Sequence, residues 1–88
     1  MLNETVIISN SAGIHARPAA TLVKAAAKFD SDIVLTKDGL EVNGKSIMGV
    51  MMLAAEKGSS IQIQIDGADE QTAMKTILEL FAQGFGES

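Results

Sequence analysis

The stretch Ser60-Ile61-Gln62-Ile63-Gln64-Ile65-Asp66 alternates strictly between polar and apolar side chains. Successive side chains of a β-strand point to opposite faces, so the three isoleucines share one face of the strand. A strand with one apolar and one polar face is typical of an antiparallel sheet that is covered on one side only. The segment therefore predicts a sheet with helices packed against a single face.

Strands and helices are predicted on both sides of this segment. Further strands are expected over residues 5–8, 32–37 and 40–42, the last two joined by the hairpin turn Asp38-Gly39. Amphipathic spacing predicts a helix from Ala16, a short one after Ser46 that closes near residue 58, and a last one over residues 70 to about 85, capped by Asp69. The order β-α-β-β-α-β-α predicts an α/β (α+β) fold, an open-faced β-sandwich with a four-stranded, mostly antiparallel sheet and three helices on one face.

Composition narrows the class of protein. The 88 residues suit a single domain, 1–88. The absence of cysteine excludes disulfides and thiolate metal sites, and a small unstapled domain fits the cytoplasm. We expect neither a signal peptide nor a membrane insertion, because no apolar run approaches the ~20 residues of a membrane span. A net charge of −4 argues against nucleic acid as a partner.

Charge is distributed unevenly along the chain. Residues 1–29 carry one acid, Glu4, and three basic residues, whereas residues 30–88 carry ten acids and four lysines. The window from residue 5 to residue 29 contains no carboxylate, and the single histidine, His15, lies inside it. The sequence therefore predicts that the surroundings of His15 favour an anionic ligand.

The segment Gly13-Ile14-His15-Ala16-Arg17-Pro18-Ala19 places His15 at the N-cap of the first predicted helix. Acidic residues are favoured in a first helical turn, yet this turn offers His15 and Arg17 and no acid. Such a departure from capping chemistry indicates function. A phosphoryl group suits the backbone amides, the helix dipole and the guanidinium that converge there. We expect no metal ion and no cofactor at this site. The ordinary interpretation, a solvated cap residue, remains open on spacing alone.

The segment 13–20 and a second one, Lys45-Ser46-Ile47-Met48-Gly49-Val50-Met51, resemble the two signatures of the histidine-containing phosphocarrier (HPr) family of the phosphotransferase system. The resemblance spans essentially the whole chain. It implies that His15 is phosphorylated on Nδ1 by Enzyme I, which is charged from phosphoenolpyruvate, and that Arg17 assists. It further implies transfer to an enzyme IIA protein or domain in sugar uptake. Such a chain is a carrier rather than a free-standing enzyme, and we expect a monomer.

Ser46 has two interpretations, of which one comes from its residue type and the other from the resemblance. Serine is favoured at a helix N-cap, although Gly49 does not complete a capping box. The resemblance implies that Ser46 is also a regulatory phosphosite for an HPr serine kinase/phosphorylase. The helix that follows is apolar nearly all round. We expect Ile47, Met48 and Met51 to contribute to an exposed docking patch; the alternative is that all its apolar residues are core.

Other functions can be weighed on the same residues. The segments 42–46 and 51–55 and the ending 85–87 also resemble the nitrogen-related (NPr-type) regulatory carriers, while Pro18 after Arg17 favours the sugar branch. Regulatory relatives that only bind a transcription factor lack the histidine, which is present here. An RNA-binding module would need a basic face and stacking aromatics, which three phenylalanines in an acidic chain do not supply.

Overall fold

The computed structural model of the chain describes residues 1–86, so the predicted domain 1–88 ends at two positions, Glu87 and Ser88, that lie outside the described residues. The strands are β1 (Leu2–Ile7), β2 (Asp32–Lys37), β3 (Leu40–Asn43) and β4 (Ser60–Asp66). The helices are α1 (Ala16–Ala26), α2 (Ile47–Met52) and α3 (Glu70–Ala82). The observed order is the predicted β-α-β-β-α-β-α.

Within residues 1–86 the strands form one sheet in the order β1-β4-β2-β3, and every neighbouring pair is antiparallel. The alternating segment is the interior strand β4, which pairs with β1 on one side and β2 on the other. Its three isoleucines are buried, whereas Gln62 is exposed. The helices cover the isoleucine face, and the open-faced sandwich predicted from the sequence is confirmed.

The hairpin between β2 and β3 turns at Asp38 and Gly39, as the sequence predicts. Their φ angles are +50° and +84°, the left-handed values that both central residues of a type I′ turn require. The turn holds β3 in register with β2, so that Leu35 lies opposite Val42 and both side chains enter the core. β3 in turn delivers the chain to Ser46 at the start of α2.

The first strand begins at Leu2 and ends at Ile7, whereas the sequence predicted residues 5–8. Three predictions about the helices also need correction. α2 ends at Met52 rather than near residue 58, because Ala54 adopts a left-handed conformation with φ +49°. α3 ends at Ala82 rather than near residue 85, because Gly84, Phe85 and Gly86 all have positive φ. The Asp69 carboxylate occupies the N-cap position of α3 but makes no side-chain capping bond there. It accepts hydrogen bonds from the amides of Asp30 and Ser31 and from the Ser31 hydroxyl, and so ties α3 to the loop before β2.

Candidate functional site

His15 is the N-cap residue of α1. Its backbone is extended (φ −104°, ψ −165°), its carbonyl accepts the first helical hydrogen bond from the Ala19 amide at 3.0 Å, and its side chain is exposed and makes no capping bond. Pro18 has no amide hydrogen, and the amides of Ala16 and Arg17 have no carbonyl partner inside the helix. An exposed imidazole therefore lies beside two amide donors at the positive end of a helix.

The backbone of residues 10–14 fixes the position of that imidazole. The buried Asn10 side chain donates from Nδ2 to the Gly13 carbonyl at 2.7 Å, and the Gly13 amide donates to the Asn10 carbonyl at 3.1 Å. The Ile14 amide donates to the carbonyl of Ala55, beyond α2, at 2.8 Å. The segment entering α1 is thus held both by its own loop and by the segment that follows α2.

Gly13 is required at this junction for two reasons. Its φ of +69° lies in the left-handed region that L side chains rarely adopt, and a Cβ added there would come within 2.4 Å of the Ala55 carbonyl oxygen. The absence of a side chain lets the two backbone segments touch. This contact could not be predicted from the sequence, because close approach of distant segments leaves no local signal.

The residues of the first turn of α1 determine the charge next to His15. The first turn of α1 contains no acidic residue, and Arg17, which lies in the same turn, is exposed. A cation in this position is unfavourable to the isolated helix, since it faces the positive end of the dipole. An anion bound at His15 would reverse that balance, because it would interact favourably with both the dipole and Arg17.

A second feature is an exposed apolar surface on α2, which packs beside α1. Four side chains of this short helix are exposed, and we call them the α2 patch: Ile47, Met48, Met51 and Met52. The opposite side of the segment points inward through Val50 and Leu53, which are both buried. The core alternative therefore describes these two residues but not the four of the α2 patch. Met52 was not included in the predicted patch, although its spacing of four from Met48 places the two on one face.

Ser46 is the N-cap residue of α2, and its Oγ accepts a hydrogen bond from the Gly49 amide at 3.0 Å. The side chain is half-buried and directly precedes Ile47 of the α2 patch. Asn10 and Ala55 are the site residues that sequence reasoning missed. Asn10 gave a weak signal, because an asparagine three residues before a glycine is typical of a side chain that closes a turn; Ala55 gave none.

Residues 1–86 contain neither a cluster of metal-ligating side chains nor a helix that could span a membrane. No group of three or more histidine, aspartate or glutamate side chains in this range is placed to hold a metal ion. Among the helices of the same range, none combines the length and apolarity needed to cross a membrane.

The chain is similar to known proteins over nearly its whole length. Residues 2–83 match the family model described as the PTS HPr component phosphorylation site. The phosphocarrier protein HPr of Xylella fastidiosa strain 9a5c is 51% identical over 87 residues, covering 99% of this chain and 98% of the relative.

Solved structures agree with that match. A crystal structure of HPr from Thermoanaerobacter tengcongensis superposes with a TM-score of 0.96 at 43% identity and covers 100% of this chain and 99% of that one. A second structure, of an HPr dimer from the same organism, has a TM-score of 0.79 at 44% identity, covering 99% of this chain and 100% of that one.

Proposed function

Since the chain belongs to the HPr family of phosphocarrier proteins of the phosphotransferase system, we propose that it accepts a phosphoryl group on His15 from phosphorylated Enzyme I and passes it to an enzyme IIA protein or domain in sugar uptake. The observation that carries this proposal is the exposed imidazole of His15 at the N-terminus of α1, in a first turn without acidic residues. The chain acts as a carrier, and the group it carries is bound covalently.

The chemical step needs little besides position and charge. The unprotonated Nδ1 of His15 attacks phosphorus, the new nitrogen–phosphorus bond forms as the bond to the donor side chain breaks, and the donor keeps that electron pair. We assign the amides of Ala16 and Arg17 and the Arg17 guanidinium as the donors to the phosphoryl oxygens. Phosphoryl transfer draws most of its acceleration from such positioning and electrostatic stabilisation. The reverse geometry then passes the group to the acceptor.

We assign docking of both partners to the surface around His15. The α2 patch offers exposed apolar side chains beside α1, and Ile47, Met48 and Met51 are the docking residues that the sequence predicted. An apolar centre of this kind suits a carrier that must bind two different proteins in turn, because flexible methionine side chains repack against different surfaces.

Ser46 is proposed as a regulatory phosphosite for an HPr serine kinase/phosphorylase. Its position directly before the α2 patch supports this role, since a phosphate there would add a charge of about −1.5 to −2 beside apolar docking residues. Incubation with such a kinase and ATP should label the parent chain and the control Ser60→Ala but not Ser46→Ala. Label that persists in Ser46→Ala would show that the kinase phosphorylates a different residue.

The experiment that tests the proposed function is labelling with radioactive phosphoenolpyruvate and Enzyme I. The label should be acid-labile and alkali-stable, and it should transfer to an enzyme IIA. His15→Ala should abolish labelling, whereas Lys75→Ala, a change on the exposed side of α3, should retain it. Stable labelling of His15→Ala would overturn the assignment of the acceptor.

The second candidate function is that of a nitrogen-related (NPr-type) regulatory carrier, which the segments 42–46 and 51–55 favour. Parallel labelling with the sugar-branch and nitrogen-branch forms of Enzyme I separates the two, because the cognate form should phosphorylate His15 faster. We also propose a cytoplasmic monomer. Sedimentation of the purified chain tests the oligomeric state, which matters because one relative forms a dimer.

A further inference from the structure

Three of the five methionines in the chain lie together on the exposed side of α2. Met48 is 77% exposed, Met52 64% and Met51 43%. The other two provide a contrast within the same molecule, since Met1 is 63% exposed at the start of the chain and Met74 is only 5% exposed in the core. Half of the six-residue helix thus consists of accessible thioethers.

We propose that Met48, Met51 and Met52 form an oxidation site for peroxides, and that their conversion to methionine sulfoxide weakens docking by the α2 patch. The thioether sulfur attacks one oxygen of hydrogen peroxide, the oxygen–oxygen bond breaks, and the departing hydroxide takes the proton from the transferred oxygen, which gives the sulfoxide and water. Sulfur loses two electrons and gains one oxygen, and the peroxide is reduced. The docking consequence rests on the proposed function; the oxidation site does not.

Composition directs the oxidant to these sulfurs. The chain contains no cysteine, tryptophan or tyrosine, so no thiol, indole or phenol competes with the thioethers. Among the methionines, access decides the order of reaction. Met1 is exposed, but its sulfur accepts a hydrogen bond from Gln64 Nε2 at 3.0 Å, which engages a sulfur lone pair. Met48 and Met52 should therefore react first.

Oxidation on this side of α2 changes the surface and leaves the core intact. The buried residues that anchor the segment are Val50 and Leu53, neither of which is a thioether. A sulfoxide replaces an apolar, flexible side chain by a polar one whose oxygen is hydrated. Docking would remove that water and leave the sulfoxide oxygen without a hydrogen-bond donor, which disfavours association.

The order of oxygen uptake tests the oxidation site. The folded chain is treated with increasing hydrogen peroxide, and each methionine peptide is followed by mass spectrometry. We expect Met48 and Met52 to gain oxygen first, then Met1 and Met51, with Met74 unmodified until the chain is unfolded in denaturant. Oxidation of Met74 in the folded chain as fast as Met48 would overturn the site.

The rate of transfer tests the docking consequence. Peroxide treatment should lower the rate of His15 phosphorylation by Enzyme I about tenfold or more, and methionine sulfoxide reductases A and B together should restore it. The variant Met48→Leu/Met51→Leu/Met52→Leu, measured against its own untreated rate, should lose no activity on the same treatment. An unchanged parent rate with all three sulfurs oxidised would overturn the docking consequence.

Failure of the proposed function remains distinguishable from failure of this inference. Labelling of the untreated chain by Enzyme I tests only the proposed function. The oxidation site is tested without labelling, by the order in which the five methionines gain oxygen and by the reduction of the sulfoxides back to methionine. These measurements decide the oxidation site whatever the labelling shows.

Discussion

The amide of Ile14 donates a hydrogen bond to the carbonyl oxygen of Ala55 at 2.8 Å, and this bond joins the segment that carries His15 to the segment that follows α2. The neighbouring Gly13 lies so close to Ala55 that no side chain fits between them. His15 and the α2 patch are therefore positioned by one shared backbone junction. A change at that junction should disturb both parts of the site together.

The first prediction tests the junction through Gly13→Ala. The new Cβ would meet the Ala55 carbonyl oxygen, and the φ of +69° is itself unfavourable to alanine. We expect the free energy of unfolding to fall by at least about 2 kcal/mol, and the rate of His15 labelling to fall with it. Gly39→Ala is the matched control, because Gly39 has φ +84° but no atom within 4 Å of an added Cβ. It should lose only about 1 kcal/mol and keep the labelling rate; equal losses in both variants would mean that the contact with Ala55 contributes nothing.

The second prediction separates stability from transfer at Arg17. Arg17→Glu places an acid in the first turn of α1, which should raise the free energy of unfolding by roughly 0.3–1 kcal/mol. On the proposed function, the same change removes a donor to the phosphoryl oxygens and adds a repelling charge, so the labelling rate should fall by about 100-fold. Denaturant unfolding and the Enzyme I assay measure the two effects.

Lys24→Glu is the matched control for Arg17→Glu, because it makes the same charge change in the last turn of the same helix. There the dipole favours a cation, so this variant should lose stability rather than gain it. If Arg17→Glu also lost stability, Arg17 would be making an interaction that stabilises the unphosphorylated fold. The interpretation that the first turn is unfavourable until an anion binds would then be wrong.

The third prediction concerns Ala54, whose φ of +49° ends α2. A left-handed residue after a helix is usually glycine, because alanine loses about 1–2 kcal/mol in that conformation. Glycine avoids this cost but has more freedom in the unfolded chain, which offsets part of the gain. Ala54→Gly should therefore raise the free energy of unfolding by a net of roughly 0.5–1 kcal/mol, measured by thermal or denaturant unfolding. Ala27→Gly, at the right-handed C-cap of α1 with φ −65°, should instead lose stability. A loss in both variants would show that Ala54 is not strained.

The fourth prediction is a dependence on pH through Asp69. Hydrogen bonds from the Ser31 hydroxyl and from the amides of Asp30 and Ser31 hold the pKa of the Asp69 carboxyl below its ordinary value. Unfolding removes these bonds and returns the pKa to that value. The stabilising contribution is therefore fully present above the ordinary carboxyl pKa and is lost as pH falls through the lowered one.

Ser31→Ala removes the largest cause of this shift, so the pKa of Asp69, followed by carboxyl NMR during acid titration, should rise toward its ordinary value. Acid unfolding, followed by circular dichroism below about pH 5, should begin at higher pH in the same variant. Ser60→Ala, at the far end of β4, should change neither. An unaltered Asp69 titration in Ser31→Ala would assign the shift to the backbone amides alone.

The sequence predicted those parts of the molecule that depend on local pattern. Alternation identified β4 and its open face, Asp38-Gly39 identified the hairpin, and the change of period after His15 placed that residue at a helix N-cap. Each follows from side-chain direction or backbone preference within a few residues. The fold class and the surroundings of His15 could therefore be derived before any coordinates.

Contacts between distant segments could not be derived in this way. Ala54 is an alanine, a residue type that does not indicate a left-handed conformation. Asp69 has the residue type of an ordinary helix cap, but its carboxylate binds Ser31, which is distant in the sequence. The touch between Gly13 and Ala55 joins segments about forty residues apart in the sequence. Tertiary packing decided each of these positions, and it also set where α2 and α3 end.

The His15 side chain is exposed at the N-terminus of α1, beside the backbone amides of the first helical turn. On the proposed function, the chain supplies one side of the transfer site, and each partner protein supplies the other side. Because His15 is exposed, a nitrogen–phosphorus bond formed there would be accessible to water. Hydrolysis would then compete with diffusion of the phosphorylated carrier to its next partner. The cellular concentrations of the partners would then determine what fraction of the phosphoryl groups is transferred before it is hydrolysed.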